Sequence, residues 1–271
     1  MRLRDKTAIV TGGGQGIGEG VARAYAAEGA RVAILDINLP AAEAMAQAIG
    51  GGAFAVACDI ADSVAVDAAF EQVMTRFERL DIVAHVAAIK PVSDLGHLLA
   101  ISSAQQRERD TTGSVSTFLD SVLNMDNETW QRQIDVDLTG TFYCNRAALR
   151  VMAPQRKGCI INTASNTAIT GMVGIANYVA AKAGVLGFSR SLAREVIAQG
   201  IRVNIVAPGD TDTPMPTAAV DKIKTEAAKR QPIGRLGSIA EMAAAYVFLA
   251  SDESSFIVGE TMNVNGGLHT L

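Results

Sequence analysis

A tyrosine and a lysine four positions apart are the residues of this sequence best suited to acid–base chemistry. Tyr178 and Lys182 lie on one face of a predicted helix. A phenol normally titrates near ~10, but a neighbouring ammonium group stabilises the phenolate and makes it a usable base. Ser165 follows a short apolar run, and its hydroxyl would hold a carbonyl or alcohol oxygen. Taken singly, each residue also fits a helix surface or a turn, so its context has to decide.

A glycine-rich turn from Thr11 to Gly18 separates the first predicted strand from the first predicted helix. Glycines let the backbone turn tightly and approach a pyrophosphate, whose charge is met by the helix N-terminus. Glycines also mark ordinary turns, but the strand before and the helix after supply the context of a dinucleotide site. The residues of this turn that we expect at the cofactor are Gly12, Gln15, Gly16, Ile17 and Gly18.

An acidic residue ends the second predicted strand and bears on the choice of dinucleotide. The Asp36 carboxylate would accept hydrogen bonds from the adenosine ribose hydroxyls and repel a 2′-phosphate. Neither its neighbour Ile37 nor Gln15 of the glycine turn is basic, so nothing nearby would neutralise that phosphate. Alone, Asp36 also fits a turn at a strand end. Together with the glycine turn, it predicts NAD rather than NADP.

The elements that would position these residues alternate regularly along the chain. Short apolar runs without polar alternation, each followed by a helical pattern, predict parallel strands covered on both faces. The sequence therefore predicts an α/β fold, a doubly wound Rossmann-type sheet of about seven strands, in a single domain over residues 1–271. One stretch, 93–124, is long and polar in its middle. By pattern alone it is either a partly helical surface excursion or a wall of the substrate pocket. In such a fold this link leaves the carboxyl edge of the sheet, where ligands bind, so we expect part of it to border the substrate.

Composition excludes several classes of protein. Hydrophobic residues make up 49% and charged residues 19%, which argues against disorder. A net charge of -4 argues against a nucleic acid or an anionic membrane as partner. No apolar run reaches the ~18 residues of a membrane span, and no secretory signal is visible. The cysteines and histidines lack the spacing of metal ligands, so we expect no metal, and unpaired cysteines suit the cytoplasm.

Taken together, these motifs resemble the short-chain dehydrogenase/reductase family over nearly the whole chain. Thr11-Gly12-x3-Gly16-x-Gly18 matches the family's cofactor turn, and Ser165 with Tyr178-x3-Lys182 matches its catalytic set. The resemblance assigns further contacts with the cofactor. These are Asp59 and Ile60 at the adenine ring, the backbone around His85 and Ala87, Tyr178 and Lys182 of the catalytic set, and Pro208, Gly209, Thr211 and Thr213 near the nicotinamide amide.

The resemblance implies hydride transfer between NAD and a secondary alcohol or ketone. Tyr178 would be the acid/base, Lys182 would stabilise its phenolate and hold the nicotinamide ribose, and Ser165 would orient the substrate oxygen. Two alternatives remain: an enzyme acting on an activated double bond or as an epimerase, and a non-catalytic NAD-binding scaffold or sensor. Family members commonly form tetramers or dimers through two long helices, here Glu128–Met152 and Ala176–Ile197.

Two positions depart from the family pattern. His85-Val86-Ala87-Ala88 stands where the family usually has Asn-Asn-Ala-Gly, and a core histidine with hydrogen-bond partners is the simpler interpretation of His85. Asp137 stands where the family has an asparagine whose backbone carbonyl holds a water on the lysine. An ionised Asp137 beside Lys182 would favour the ammonium and oppose a tyrosinate on Tyr178. We therefore expect an active enzyme whose oxidation profile is shifted to alkaline pH.

The substrate is not chosen by the sequence. Residues 210–225 are predicted to form a mobile substrate loop that mixes apolar side chains with groups able to bind hydroxyls. That mixture fits a sugar, a cyclic alcohol, a hydroxy acid and a steroid equally well.

Overall fold

The computed structural model describes residues 1–91, 95–214 and 220–270. In these residues, seven strands form one parallel sheet in the order β3-β2-β1-β4-β5-β6-β7. The strands are β1 (Thr7–Thr11), β2 (Arg31–Asp36), β3 (Phe54–Ala57), β4 (Ile82–His85), β5 (Gly158–Thr163), β6 (Ile201–Pro208) and β7 (Thr261–Val264). The predicted doubly wound α/β sheet is confirmed.

Helices connect these strands. They are α1 (Gly16–Ala27), α2 (Leu39–Ile49), α3 (Ser63–Phe77), α4 (Leu95–Thr112), α5 (Asn127–Ile134), α6 (Gly140–Gln155), α7 (Thr167–Thr170), α8 (Ala176–Val196), α9 (Val220–Arg230) and α10 (Ile239–Ala250). Side chains at several of their N-termini accept backbone N–H bonds, as Asp62 does at α3 and Ser238 does in a capping box at α10. Within the described part of the chain, no helix combines the length and apolar character needed to cross a bilayer.

Successive residues of each strand point to opposite faces of the sheet, and both faces are buried. Ile9 and its equivalents pack against α3, α6 and α8. Ala8 and Val10, its neighbours in the strand, pack with α1, α2 and α10. Burial on both faces explains why the strands are mostly apolar and show no regular alternation with polar residues.

The order of the strands reverses beside β1, which lies between β2 and β4. In an open α/β sheet, this reversal opens a crevice at the carboxyl ends of the strands, where ligands bind. The glycine turn follows β1, Asp36 ends β2, and His85 ends β4. The fold therefore brings three of the predicted cofactor segments to one edge of the sheet.

In two connections the structure adds detail to the sequence prediction. The polar stretch after β4 contains an 18-residue helix, α4, which the weak periodicity left undecided. The helix predicted from about Glu128 past Leu149 is interrupted by a π-helical turn, Asp135–Thr139, between α5 and α6. Residues 93–94 of the stretch and residues 215–219 of the predicted substrate loop lie outside the described residues.

Candidate active site

The glycine turn is packed too closely for larger residues. Gly12 has φ 65°, and a Cβ there would lie 2.7 Å from Ala87 Cα. A Cβ on Gly18 would overlap the Gly12 carbonyl oxygen. Gly16, at the first turn of α1, has φ 59°. Only glycine fits these positions without strain, as expected of a turn that brings backbone N–H groups to a phosphate at a helix N-terminus.

The Asp36 carboxylate lies against the glycine turn. Its Oδ2 accepts a 2.9 Å hydrogen bond from the Gly14 backbone N–H, and its Oδ1 accepts a 2.9 Å bond from the Asn38 N–H. These bonds hold an acidic group beside the turn. Gln15 and Ile17 flank Gly16, Gln15 with an exposed side chain and Ile17 partly buried.

The residues after β3 lie between this edge and α6. Asp59 Oδ1 accepts a 2.9 Å bond from the Ala61 N–H, so the carboxylate is held within its own turn. Ile60 is buried, and its backbone oxygen would lie 3.0 Å from a Cβ on Gly140, the first residue of α6. Arg132 is 4.0 Å from Asp59 Oδ2. The Asp59–Ile60 turn is therefore held in place after β3, and its contact with an adenine ring stays a prediction.

The segment after β6 returns to the glycine turn. Gly209 N donates to Val264 O at 2.9 Å, and Asn166 N donates to Pro208 O at 3.0 Å. The Thr211 hydroxyl donates to Gly209 O at 3.0 Å. The atoms closest to a Cβ built on Gly16 belong to Thr213, at 3.7 Å from its Cγ2. The structure thus brings together the two predicted cofactor segments that are furthest apart in sequence.

Lys182 is held in the interior by three groups. It is 2% exposed, and its ammonium donates to the Thr163 carbonyl oxygen at 3.1 Å. Asp137 Oδ2 is 3.4 Å from the same nitrogen. The ring centroid of Tyr178 lies 5.8 Å from it, one helical turn away on α8. The predicted pairing of a phenol with an ammonium on one helix face is therefore present.

The π-helical turn explains how Asp137 reaches this lysine. Its carboxylate is fully buried, and Oδ1 accepts a 3.0 Å bond from the Ile89 N–H, leaving Oδ2 toward Lys182. Its backbone carbonyl accepts the Thr141 hydroxyl at 2.7 Å. Turns of this kind occur often at functional sites. Asp137 thus adds a charged side chain at the lysine, where the family pattern relies on a backbone carbonyl.

Ser165 and Tyr178 are placed by neighbouring elements. Ser165 is 6% exposed and follows β5. Its Oγ lies 2.9 Å from Thr167 Oγ1 and accepts the Thr167 N–H at 3.2 Å. The short helix α7 packs against α8, whose first turn carries the half-buried Tyr178. A phenol, an ammonium and a serine hydroxyl near one edge of the sheet are suited to moving a proton at an alcohol or carbonyl oxygen.

His85 is a buried neutral imidazole with one identified partner. Its Nδ1 is 3.0 Å from Thr11 Oγ1, which also accepts the N–H groups of Val86 and Ala87 at 3.1 Å. Because that oxygen already accepts two bonds, its proton is directed to Nδ1, and Nε2 carries the imidazole hydrogen. Burial, and secondarily the charge of Lys182, lower the pKa of His85 to about 3. Among the described residues, Nε2 has no hydrogen-bond partner. Only one of the two ring nitrogens of this predicted core histidine is therefore hydrogen-bonded.

Sequence reasoning missed a buried polar layer beneath this site. Asn162 Nδ2 donates to Asn145 Oδ1 at 3.0 Å and to Ser189 Oγ at 2.9 Å, joining β5 to α6 and α8. Asn145 Nδ2 donates back to Asn162 Oδ1 at 2.8 Å. The available signal was a polar residue at the end of the apolar run Cys159-Ile160-Ile161, at a position facing the helices. Polar groups so buried require partners.

The residues at this edge fit a nicotinamide dinucleotide. The backbone cradle of Gly12 and Gly16, the Asp36 carboxylate and the crevice beside β1 match the needs of its pyrophosphate and adenosine ribose. Among the described residues, no group of three or more histidine, cysteine, aspartate or glutamate side chains is placed to hold a metal ion.

Comparison with known proteins agrees with this geometry. A family model described as short chain dehydrogenase matches residues 6–224. The chain is 35% identical over 269 residues to the 3-oxoacyl-[acyl-carrier-protein] reductase FabG of Escherichia coli (strain K12), covering 99% of both chains. It is 35% identical over 271 residues to the FabG of Vibrio cholerae serotype O1, covering 100% of both. With the glycine turn, the Tyr178–Lys182 pair and these matches in agreement, the chain belongs to the short-chain dehydrogenase family.

Proposed function

We propose that this chain is an NAD-dependent oxidoreductase that transfers hydride between nicotinamide and a secondary alcohol or ketone, with Tyr178 as the acid/base. The observation that carries this proposal is the Lys182 ammonium, which the Thr163 carbonyl and Asp137 hold one helical turn from Tyr178. A buried ammonium at this position stabilises a phenolate, because a nearby positive charge favours the charged form of the phenol.

The roles of the chain's own groups follow from their positions. In alcohol oxidation, Tyr178 takes the hydroxyl proton, while Ser165 donates a hydrogen bond to the same substrate oxygen. Lys182 balances the charge that develops on the phenol oxygen. A bound nicotinamide would accept the hydride in oxidation and donate it in reduction. In ketone reduction Tyr178 returns the proton to the substrate oxygen. A scaffold without turnover would have no need of a buried ammonium beside a phenol.

The preference for NAD rests on Asp36. Its carboxylate lies on the glycine turn, where a 2′-phosphate would meet a negative charge. Titration of the protein with NADH and with NADPH, followed by nicotinamide fluorescence, tests this preference. We expect tighter binding of NADH than of NADPH. Asp36→Ala should reduce the difference between the two dissociation constants. Tighter binding of NADPH by the unaltered protein would contradict the assignment, and binding of neither would favour the non-catalytic alternative.

The relatives favour a second candidate substrate. Both relatives are named 3-oxoacyl-[acyl-carrier-protein] reductases, so reduction of a 3-oxoacyl thioester is the alternative to oxidation of a simple secondary alcohol. Assays with NADH, comparing a 3-oxoacyl thioester with a panel of cyclic and acyclic ketones, separate the two. A thioester reduced with a kcat/KM at least a hundredfold above any simple ketone would establish the second candidate.

The stretch 93–124 is proposed to border the substrate. Just before it, Lys90 Nζ donates to Pro214 O at 3.2 Å, which links this connection to the segment after β6. Both connections leave the carboxyl edge of the sheet, where ligands bind in this fold. Replacing residues 93–124 by a short link should raise the KM for substrate more than the Kd for NADH. Equal loss of both would indicate a purely structural role.

Self-association is proposed through the long helices. Phe142 of α6 is 41% exposed and Trp130 of α5 is 42% exposed, and the Phe142 ring packs edge-to-face on Phe188 of α8 at 6.2 Å. Aromatic residues exposed on neighbouring helices are typical of an interface. We expect a tetramer or a dimer by light scattering, and Phe142→Glu should shift it toward the monomer.

A further inference from the structure

A fully buried tyrosine reaches the same site from the opposite face of the sheet. Tyr246 of α10 is fully buried, and its phenol oxygen lies 2.6 Å from Thr163 Oγ1. Thr163 ends β5, and its hydroxyl is also 2.6 Å from the His85 carbonyl oxygen. One threonine side chain therefore joins α10 to the end of β4.

The direction of these hydrogen bonds follows from their chemistry. A carbonyl oxygen only accepts, so the Thr163 hydroxyl donates its proton to His85 O. The same hydroxyl must then accept from Tyr246, whose phenol is the donor. Burial raises the pKa of Tyr246 above its ordinary value, so the phenol keeps the proton that this bond requires. These hydrogen bonds end on a carbonyl oxygen, which cannot pass a proton on. They therefore hold the two side chains in place and do not relay a proton.

The backbone of the same threonine holds the catalytic lysine. Thr163 O accepts the Lys182 ammonium at 3.1 Å, while the Thr163 side chain is bound by Tyr246 and His85. The Thr163 carbonyl belongs to the peptide group whose N–H, that of Ala164, donates to Val206 O at 2.9 Å. The two side-chain bonds hold the same residue from the other face of the sheet. Asp137, at 3.4 Å, and the ring of Tyr178 also lie beside the Lys182 ammonium, and its charge contributes to lowering the pKa of His85.

We propose that Tyr246 is a positioning residue: its phenol orients Thr163, and through the Thr163 carbonyl it sets the position of the Lys182 ammonium beneath Tyr178. This inference rests on the proposed function, since it assigns a role within the same reaction. This role distinguishes Tyr246 from an ordinary core residue, because phenylalanine would fill the same space in the core equally well.

A matched pair of variants tests the proposal. Tyr246→Phe removes only the phenol oxygen. Tyr25→Phe removes the other buried phenol of the same core, whose hydroxyl donates to the Tyr246 carbonyl at 3.3 Å and not to Thr163. Loss of one hydrogen bond predicts that kcat of Tyr246→Phe falls about three- to tenfold. KM for the alcohol should stay within about twofold, and the oxidation profile should move to higher pH, as the phenolate of Tyr178 is less well stabilised.

The control variant defines what would overturn the idea. Tyr25→Phe should lower the melting temperature by a similar amount and leave kcat and the pH profile as in the wild type. Equal effects of both variants on kcat, or a wild-type kcat in Tyr246→Phe, would reduce Tyr246 to a packing role. Thr163→Val should lower kcat further than Tyr246→Phe, and Thr163→Ser, which keeps the hydroxyl, should recover most of it.

A crystal structure of Tyr246→Phe distinguishes failure of this proposal from failure of the proposed function. The proposal expects the Lys182 ammonium to leave hydrogen-bond distance of Thr163 O in the variant, whatever substrate the enzyme accepts. An ammonium still about 3.1 Å from that oxygen, as in the unaltered chain, would overturn it. Wild-type protein that turns over no alcohol or ketone would refute the proposed function alone.

Discussion

The edge of the sheet at Lys182 and the stretch after β4 are built in opposite ways. At the sheet edge, hydrogen bonds join residues far apart in the chain, as between Thr163 and His85 or between Ile89 and Asp137. In the stretch 95–124, the described bonds are mostly local. Glu108 accepts the N–H groups of Ser116 and Thr117 at 2.7 and 3.0 Å.

The side chains at the sheet edge are also more deeply buried than those in the stretch after β4. The Lys182 side chain is 2% exposed and that of Asp137 is 0% exposed. Phe118 and Leu123, in the connection after α4, are each 84% exposed. A buried charge without its partner is costly, whereas a surface group that loses a bond finds water instead. Substitutions at the sheet edge should therefore affect activity and global stability, and those in the stretch should act locally.

The largest expected effect is at the phenol itself. Tyr178→Phe should lower kcat about 10²- to 10⁴-fold, the usual contribution of a positioned acid/base. NADH affinity, measured by fluorescence titration, should stay within about twofold, because the phenol is proposed to act on the substrate oxygen. Tyr143→Phe, which alters a half-buried tyrosine of α6, is the control and should turn over like the wild type. Undiminished turnover by Tyr178→Phe would remove this residue from the mechanism.

Sequence reasoning predicted the structure correctly where a local pattern determines it. The strand, glycine turn and helix that begin the chain are contiguous, so their order alone predicts the crevice, and the structure places Asp36 against that turn. Tyr178 and Lys182 share a helix face because helical periodicity requires it. These predictions needed no knowledge of which strands are neighbours.

The remaining features depend on tertiary contacts that no local pattern encodes. The π-helical turn carries the buried carboxylate of Asp137, which accepts the Ile89 N–H and lies 3.4 Å from the Lys182 ammonium. The bond from Tyr246 to Thr163 joins residues 83 positions apart. The sequence did not decide whether α4 is a helix, because its apolar residues have no clear periodicity. This is expected of a helix in a stretch that is held mainly by polar contacts.

The second prediction concerns His85 and the stability of the sheet edge. Because its pKa is about 3 in the folded chain and about 6.5 in an unfolded one, the unfolded chain binds an extra proton between these values. The free energy of unfolding should therefore fall as the pH drops from 7 to 5, with His85 contributing about 2 kcal/mol of that loss. Urea denaturation of His85→Asn at both pH values should show a flatter dependence. An identical slope in the two proteins would mean that His85 is protonated in the folded chain.

The third prediction concerns the buried carboxylate. Asp137→Asn keeps an acceptor for the Ile89 N–H but removes the negative charge 3.4 Å from Lys182. We expect the pH profile of alcohol oxidation to move about one unit toward acid, because the ammonium then acts on Tyr178 alone. Asp135→Asn is the matched control, since that carboxylate lies in the same turn but accepts from Gln131. An unchanged profile in Asp137→Asn would sink the idea that this aspartate tunes the reaction.

The smallest effect should come from the stretch after β4, where Glu108 organises the end of α4. Hydrogen bonds from the Thr117 hydroxyl, and then from the Thr117 and Ser116 N–H groups, lower the pKa of Glu108 to about 2. This local stabilisation is present above the ordinary pKa near ~4.5 and is lost as the pH falls toward 2. Glu108→Gln should speed amide hydrogen exchange in residues 114–119 at neutral pH, with no measurable change in melting temperature or in kcat. Asp110→Asn, which alters a carboxylate that accepts from Gln106 within the helix, should leave that exchange unchanged. A large fall in melting temperature with Glu108→Gln would show that the stretch and the sheet edge form one cooperative unit, and would end the contrast between the two regions.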